Sequence, residues 1–206
     1  MVKLPAPPDP SELRYADEDV RILGPIPLWR IHKTGGDFPT AWNDLRWWGP
    51  GRSMRFDPHV PPPSVQGRGV CYSAFGVPTA IAEVFQQTRV INRFRDGHWI
   101  TAWIPTRPLY LLDLTGYWPI KAGSSHTINT GRKDHCRKWA EAIHTAWPDI
   151  DGLFSHSSMT GGDMATLFTH AADNFPAHPS FSEPLNHPGL RDDLVFVADQ
   201  IGYRLV

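Results

Sequence analysis

The sequence predicts a mixed α+β fold, mostly β-sheet with two clear helices, and three observations predict it. Several segments alternate apolar and polar residues with the two-residue period of a strand. Two other segments repeat apolar residues at i, i+3, i+4 and i+7, which is the period of a helix. Proline makes up 21 of the 206 residues, about twice its usual share of about 5%. So many prolines disfavour a helical bundle and favour short elements joined by long connections.

The predicted strands are short runs rich in apolar, β-branched and aromatic residues. In the first of them, Trp29 and Ile31 face one side of the sheet and Arg30 faces the other. Strands interspersed with helices are typical of a domain built around one sheet. The predicted strands cover residues 28–32, 69–74, 99–104, 109–114, 151–157, 164–169, 194–198 and 203–206.

Two segments are predicted as helices. Pro78 suits the first position of a helix, and the segment from Thr79 to about Thr88 follows it. The apolar stripe of this helix contains Ile81, Val84, Phe85 and Thr88. The stronger helix extends from Arg132 to Trp147 and is stopped by the proline that follows. Its stripe contains Cys136, Trp139, Ile143 and Trp147.

The chain is predicted to form an arm followed by one domain. With 206 residues it is long enough for one sizeable core. Residues 1–25 are Pro-rich and charged and are predicted as an N-terminal arm, or as a short helix over 11–20 that precedes the domain. Residues 26–206 are predicted as the domain. Within it, residues 33–68 and 173–191 have no clear period and are predicted as long connections.

Charge and cysteine content exclude several classes of protein. There are 20 Lys and Arg against 21 Asp and Glu, so no basic excess favours nonspecific binding to nucleic acid or to anionic membranes. Two cysteines, Cys71 and Cys136, exclude a disulfide framework and a Cys-based zinc finger. No apolar run reaches the roughly 18 residues of a membrane span, and the first residues lack the apolar region of a signal peptide. We therefore expect a cytoplasmic protein that contacts neither nucleic acid nor membrane.

Ten histidines raise the question of a metal site. The sequence contains no His-Glu-x-x-His motif and no paired cysteines at ligand spacing. His135 and His144 lie on the stronger helix but about 180° apart, at about 100° per residue. We therefore predict no metal site.

A polar cluster, Ser155-His156-Ser157-Ser158, ends one predicted strand and is followed by Gly161-Gly162. The Gly-x-Ser-x-Gly motif of serine hydrolases is absent. Two glycines are too few to indicate a phosphate-binding loop. Taken alone, the cluster indicates a turn in which serines bond to the local backbone.

Three further polar residues have ordinary interpretations when taken singly. Arg30 is a solvated arginine if its strand lies at a sheet edge, but on a central strand it needs a partner or an anionic ligand. Tyr72 shares a strand face with apolar residues, as many core tyrosines do. Glu83 lies far from the apolar stripe of its helix and is typical of an exposed glutamate.

The order and spacing of these residues are more informative than each residue alone. The chain contains, in order, Leu-Trp-Arg30-Ile, Arg52-Ser-Met-Arg55-Phe-Asp, Gly-Val-Cys-Tyr72-Ser, Thr-Ala-Ile-Ala-Glu83-Val-Phe and Asp-Gly-Leu-Phe-Ser-His-Ser157. The most specific part is the strand tyrosine followed by the helix glutamate. This pattern resembles the RES domain family, named for its arginine, glutamate and serine, over about residues 26–206.

The resemblance implies a set of site residues. Arg55 matches a second family arginine, with Arg52 as a competitor. Ser157 matches the family serine, with Ser155 and Ser158 as alternatives. The implied catalytic residues are Arg30, Tyr72, Glu83 and Ser157, and the implied substrate-binding residues are Arg52, Arg55, Tyr72 and Ser155.

The resemblance also implies a fold and an activity. The fold is an ADP-ribosyltransferase-like mixed β core with flanking helices. NAD is the implied substrate, with no prosthetic group, and the implied reaction cleaves the bond between nicotinamide and ribose. Glu83 would stabilise the positive charge that develops on the ribose. Arg30 and Arg55 would bind the diphosphate, Tyr72 would pack on the nicotinamide ring, and Ser157 would orient the ligand.

The acceptor of the ribosyl group and the partner are left open by the residues themselves. Water would make the protein an NAD hydrolase, inorganic phosphate would make it a phosphorylase, and a protein side chain would make it an ADP-ribosyltransferase. Family members are often toxins encoded beside an Xre-type antitoxin, so the resemblance implies such a partner. The competing class is a non-catalytic domain that binds a nucleotide or a partner, which the intact set Arg30, Tyr72 and Glu83 disfavours.

Overall fold

A large mixed β-sheet forms the centre of the protein, as a computed structural model that describes residues 4–206 shows. The strands of this sheet are β1 Val20–Leu23, β2 Leu28–Lys33, β3 Arg46–Gly49, β4 Ser64–Ala74, β6 His98–Trp103, β7 Leu109–Asp113, β8 Gly152–His156, β9 Asp163–Phe168 and β10 Phe181–Pro184. A separate two-stranded sheet pairs β5 Val90–Ile91 with β11 Arg204–Leu205.

The strand order within the described chain is β1-β7-β8-β9-β4-β2-β6-β10, and β3 pairs with the outer part of β4. Neighbouring strands of this order are antiparallel, apart from the parallel pair β7 and β8. Strand β2 is therefore central, and it joins β4 through one bridged pair, Trp29 with Ala74. This mixed sheet with flanking helices confirms the predicted fold class.

Four α-helices flank the sheet within residues 4–206: α1 Val77–Phe85, α2 Trp118–Lys121, α3 Lys133–Ala146 and α4 Arg191–Ile201. Short 3-10 helices occupy Pro10–Glu12, Asp17–Asp19, His126–Asn129, Thr169–Asn174 and Pro188–Leu190. Pro78 lies in the first turn of α1, but as its second residue, because the helix begins one residue earlier than predicted, at Val77. The apolar stripe predicted for α3 is confirmed, because Cys136, Trp139 and Ile143 are fully buried.

The two faces of the sheet have different surroundings. On β4, Val70 packs in a cluster with residues of α3, and Ala74 packs in a cluster with residues of α1 and α4. Tyr72 lies between them and shares this helix-covered face, because alternate residues of a strand point the same way. Cys71 points to the opposite face, into a cluster with Leu28 and other residues of the neighbouring strands. Each large apolar side chain so buried contributes about 1.5–3 kcal/mol.

The strand predicted over 194–198 is wrong, because this segment lies in α4. Leu194, Val197 and Ala198 are buried while Phe196 is exposed, which is the i, i+3, i+4 pattern of a helix. Gly202 ends α4 in the left-handed conformation with φ 68°. A five-residue apolar run fits either element by length, and here packing against α1 decides for the helix.

Other boundaries also differ from the prediction. Within the long connections predicted over 33–68 and 173–191, the chain forms β3, the first part of β4 and β10. Helix α1 ends at Phe85 rather than near Thr88, and Val84 is 41% exposed although it was assigned to the apolar stripe. The small residues Ala80 and Ala82 are buried in its place, which lets α1 lie close to the sheet.

The predicted arm packs against the domain where the structure describes it. The single helix suggested over 11–20 is replaced by two 3-10 helices and the start of β1. Leu4 and Leu13 are buried in the cluster beneath α3, and β1 pairs with β7. Residues 1–3 of the arm lie outside the described residues, and the division of the chain at residue 25 stays a prediction.

Candidate active site

Glu83 and Ser157 are joined by a hydrogen bond on the helix-covered face of the sheet. Glu83 lies in α1, and Ser157 directly follows β8. Ser157 Oγ donates to Glu83 Oε1 at 2.6 Å, and it accepts from the backbone N–H groups of Met159 at 3.0 Å and Thr160 at 3.2 Å. A serine hydroxyl has one proton and two lone pairs, so all of its bonding capacity is used. This arrangement suits a serine that orients the carboxylate rather than one that attacks a substrate.

The turn that carries Ser157 is closed on itself and fitted against α1. Ser157 N–H donates to Gly162 O at 2.8 Å, and Gly161 N–H donates to Ser157 O at 2.9 Å. Gly161 has φ 73°, in the left-handed region that glycine adopts without strain. A Cβ on Gly162 would lie 2.3 Å from Thr79 Oγ1 in α1. The two glycines therefore let the turn place Ser157 at Glu83.

The second oxygen of Glu83 is bound by the residue that follows α1. Gln86 Nε2 donates to Glu83 Oε2 at 3.3 Å and to Glu83 O at 2.6 Å. Gln86 Oε1 accepts a hydrogen bond from Lys133 Nζ at 3.3 Å. Lys133 is the first residue of α3, so this chain of contacts links the carboxylate to a second helix.

Three cationic side chains, Arg55, Lys133 and Arg137, form a group that adjoins Glu83 through Lys133. Burial lowers the pKa of Lys133, and the nearby charges of Arg55 and Arg137 lower it too, while Glu83 opposes the shift. Arg55 donates to the carbonyl oxygen of Gly131, just before α3. We call these three residues the cationic group. Three positive charges beside one carboxylate leave a surplus that suits an anionic ligand.

The structure distinguishes the two candidate arginines of the 52–55 segment. Arg52 is exposed, and its contribution is its backbone carbonyl, which accepts from Arg137 at 3.1 Å. Arg55 is half-buried and lies in the cationic group. The structure therefore places Arg55 beside Lys133, which is linked to Glu83 through Gln86, and leaves Arg52 exposed.

Tyr72 presents a buried hydroxyl whose proton has no acceptor among residues 4–206, while the Arg46 guanidinium lies close to its oxygen. Burial raises the pKa of this hydroxyl, and the charge of Asp57 raises it further, while Arg46 and Arg137 oppose the shift. The group is therefore a neutral donor at physiological pH. An unpaired buried hydroxyl costs about 1–3 kcal/mol, and such a group suits a donor that completes its bonding with a ligand.

A buried carboxylate, Asp57, lies near Tyr72. Its Oδ2 accepts from Arg46 at 2.8 Å and from the Gly51 N–H at 2.6 Å, and its Oδ1 is paired with His59 Nδ1. Burial alone would raise the pKa of Asp57, but the hydrogen bonds from His59, Gly51 and Arg46 outweigh it and lower the pKa to about 2. Asp57 is thus a structural anion that fixes the segment leading to Arg55.

Ser155 lies on the same sheet face as Tyr72, because it pairs with Met164, which in turn pairs with Ala74. It is 2% exposed, so a ligand would reach it only through the site. The neighbouring alternative Ser158 is exposed. Ser157, in contrast with both, contacts Glu83 directly.

The structure does not bring Arg30 to this cluster. The bridge between Trp29 and Ala74 places Trp29 on the face of Tyr72, so Arg30 points to the opposite face. There its guanidinium donates to the carbonyl oxygens of Trp42 at 2.7 Å and Asp44 at 2.8 Å. These contacts fasten the connection between β2 and β3, and a role of Arg30 at the substrate stays a prediction.

Sequence reasoning missed several members of the site: Arg46, Asp57, Gln86, Lys133 and Arg137. One signal was available for the helix residues. A cation at the start of a helix is unfavourable, because it meets the positive end of the helix dipole, and Lys133 stands at that position in a strongly predicted helix. No periodicity indicates Gln86 or Asp57, whose roles depend on contacts between distant segments.

Among residues 4–206, no group of three or more His, Cys, Asp and Glu side chains is placed to hold a metal ion. None of the helices described is long and apolar enough to cross a membrane.

Comparison with known proteins adds a family and a fold. Residues 27–187 match the RES domain family, which covers most of the chain. No curated protein matches significantly. A solved chain described as part of the M. tuberculosis MbcT–MbcA toxin–antitoxin complex is similar in structure, with a TM-score of 0.55 and 16% sequence identity over 86% of this chain and 93% of that chain. At this identity the likeness supports the fold alone.

Proposed function

Because the chain belongs to the RES domain family, we propose that it is a toxin-like enzyme that degrades NAD by cleaving the bond between nicotinamide and ribose. The observation that carries the proposal is the arrangement of Glu83, bound through both oxygens by Ser157 and Gln86 beside the cationic group. A carboxylate fixed in this way can stabilise positive charge, and the adjacent cations can bind phosphate oxygens.

The proposed chemistry follows from the charge that each step creates. As the bond between the ribose carbon and the nicotinamide nitrogen breaks, its electron pair leaves with nicotinamide, whose ring becomes neutral. The ribose gains oxocarbenium character, as in glycoside cleavage. Glu83 stabilises that cation, and Ser157 keeps the carboxylate in place. An acceptor oxygen then bonds to the same ribose carbon and its proton passes to solvent, giving ADP-ribose from water or its 1-phosphate from inorganic phosphate.

The other site residues have supporting roles in this proposal. Arg55 binds the diphosphate of NAD, with surplus charge from the rest of the cationic group. The ring of Tyr72 packs on nicotinamide, and its unpaired hydroxyl donates to the ligand. Ser155 lines the floor of the site on the sheet. The exposed Arg52 contacts the substrate only at the rim.

We further propose that an antitoxin protein neutralises this chain in the cytoplasm. The structural neighbour belongs to a toxin–antitoxin complex, and the RES resemblance implies a partner of the Xre type. Such a partner would act by covering the surface around Glu83.

Incubation of the purified chain with NAD, with and without inorganic phosphate, tests the proposal. We expect free nicotinamide, together with ADP-ribose or with its 1-phosphate when phosphate is present. Transfer of ADP-ribose to protein would assign the chain to the transferases instead. Absence of nicotinamide release by folded protein, together with unchanged cellular NAD during induced expression, would contradict any NAD-cleaving activity.

A further inference from the structure

We propose that Gln86 and Lys133 are positioning residues that hold Glu83 in its working orientation and tie α1 to α3 at the site. This inference rests on the proposed function, because it names what orients the carboxylate of that reaction. Ser157 fixes Oε1 of Glu83 from the side of the sheet. Gln86 binds Oε2 of Glu83, and Lys133 holds the other end of the Gln86 amide.

The hydrogen bonds assign the orientation of the Gln86 amide. An ammonium group only donates, so the atom facing Lys133 Nζ at 3.3 Å is the amide oxygen. The amide nitrogen then faces Glu83, where its two protons meet Oε2 at 3.3 Å and the backbone oxygen at 2.6 Å. Without Lys133 the amide would lose the contact that ties it to α3, and the Gln86 side chain would hold Glu83 Oε2 less firmly.

The placement of Lys133 contradicts ordinary helix preferences. It occupies the first position of α3, where the positive end of the helix dipole disfavours a cation. It is also half-buried and lies near Arg55 and Arg137, which lower its pKa. A residue that is unfavourable for its local structure, such as a cation at a helix start, is typical of a functional position. Here the compensating contacts are those with Gln86 and, through charge, with Glu83.

The first test measures steady-state nicotinamide release by Lys133→Met and Gln86→Met, with Lys138→Met as the matched control. Lys138 is exposed on the same helix, so its replacement removes the same charge away from the site. We expect kcat to fall about 10- to 100-fold in the two test variants, the scale of a misplaced reacting group. We expect KM to change by a smaller factor than kcat, because Arg55 and Arg137 remain to bind the diphosphate. We expect Lys133→Arg to recover most of the activity because it can still donate to Gln86.

A kcat within twofold of the wild type in both test variants would overturn the inference, and so would a raised KM with unchanged kcat, which assigns Lys133 to substrate binding. Thermal unfolding separates positioning from folding. Lys133→Met removes an unfavourable cation from a helix start, so its melting temperature should equal or exceed that of the wild type. A lower melting temperature that accounts for the lost activity would overturn the positioning role.

The second test needs no activity, which separates failure of the inference from failure of the proposed function. The titration of Lys133 is followed by NMR of its ε-carbon in the wild type and in Glu83→Gln. Coupling between two groups is reciprocal, so loss of the Glu83 charge should move the Lys133 midpoint to lower pH. If the wild type releases no nicotinamide, the proposed function fails and this titration alone decides. An unchanged midpoint of the Lys133 titration then overturns the link between Lys133 and Glu83.

Discussion

Glu83 is the residue on which most of the proposed chemistry depends, and one substitution separates a catalytic role from a structural one. Glu83→Gln keeps the size of the side chain and much of its hydrogen bonding but removes the negative charge. If the charge stabilises the ribosyl cation, the loss should appear in the chemical step and not in ground-state binding. We expect nicotinamide release to fall about 10²–10³-fold, or about 2.7–4 kcal/mol.

The same variant should melt like the wild type and still bind NAD by calorimetry. Glu12→Gln is the matched control, because Glu12 is exposed and lies far along the chain in a 3-10 helix. Nicotinamide release by Glu83→Gln within a few-fold of the control would leave Glu83 with a structural role only, as the acceptor that joins α1 to the turn after β8.

Tyr72 allows stability and function to be separated at one atom. The proton of its buried hydroxyl has no acceptor in the described part of the chain. Tyr72→Phe should therefore leave the free energy of unfolding unchanged or raise it by up to about 1–3 kcal/mol. The ring remains available for stacking, but the donor to the ligand is lost, so KM for NAD should rise. Tyr117→Phe, at a side chain 77% exposed, should change neither quantity. Lower stability of Tyr72→Phe would show that the hydroxyl has a structural partner.

At the scale of elements, the site depends on how the turn after β8 fits against α1. Thr79 Oγ1 is 2.9 Å from Thr160 Oγ1 and blocks any Cβ on Gly162. Gly162→Ala should therefore push the turn away from α1 and pull Ser157 from Glu83. We expect a loss of about 1–3 kcal/mol in the free energy of unfolding, as for overpacked cores. Nicotinamide release should fall by more than the loss of folded protein explains.

A double variant tests this explanation. Adding Thr79→Ala removes the atom that clashes, so Gly162→Ala with Thr79→Ala should be less destabilised than the sum of the two single changes. Gly67→Ala is a control for the substitution itself, because no atom lies within 4 Å of its Cβ position. Additive losses in the double variant would mean that Gly162 is required for backbone reasons and not for contact with α1.

At the scale of the whole molecule, periodicity predicted most of the sheet and the helix α3. In those elements the spacing of apolar residues along the sequence matches the face that is buried. It failed over 194–198, where five apolar residues fit a strand or a helix and only packing against α1 decides. In the site, too, local sequence patterns did not indicate residues whose roles depend on long-range contacts. Tyr72, Glu83 and Ser157 were found through a resemblance in order and spacing, whereas Asp57, Gln86 and Lys133 are defined by contacts between distant segments, which no single-chain period records.

Acid should destabilise the whole molecule in two stages, because buried groups resist protonation in the folded state. Burial lowers the pKa of His144 to about 4 from 6.5, with help from Arg68 and His59. The unfolded state therefore binds this proton first, and the stability it contributes is present above pH 6.5 and lost as the pH falls towards 4. The stability that Asp57 contributes is lost next, as the pH falls from 3.8 to about 2, again because the unfolded state takes up the proton more readily.

Urea unfolding between pH 7 and pH 2.5 should show both stages, with Asp57 contributing about 2 kcal/mol at about 1.4 kcal/mol per unit of pKa difference. Asp57→Asn leaves Arg46 unpaired and so lowers stability at every pH, but it removes the titrating group. The dependence of stability on pH below 4 should therefore become shallower than in the wild type. Asp192→Asn, at a side chain 98% exposed, should leave that dependence unchanged. An unchanged dependence in Asp57→Asn would mean that other carboxylates control acid unfolding and that the buried pairs of Asp57 with His59 and Arg46 do not persist in solution.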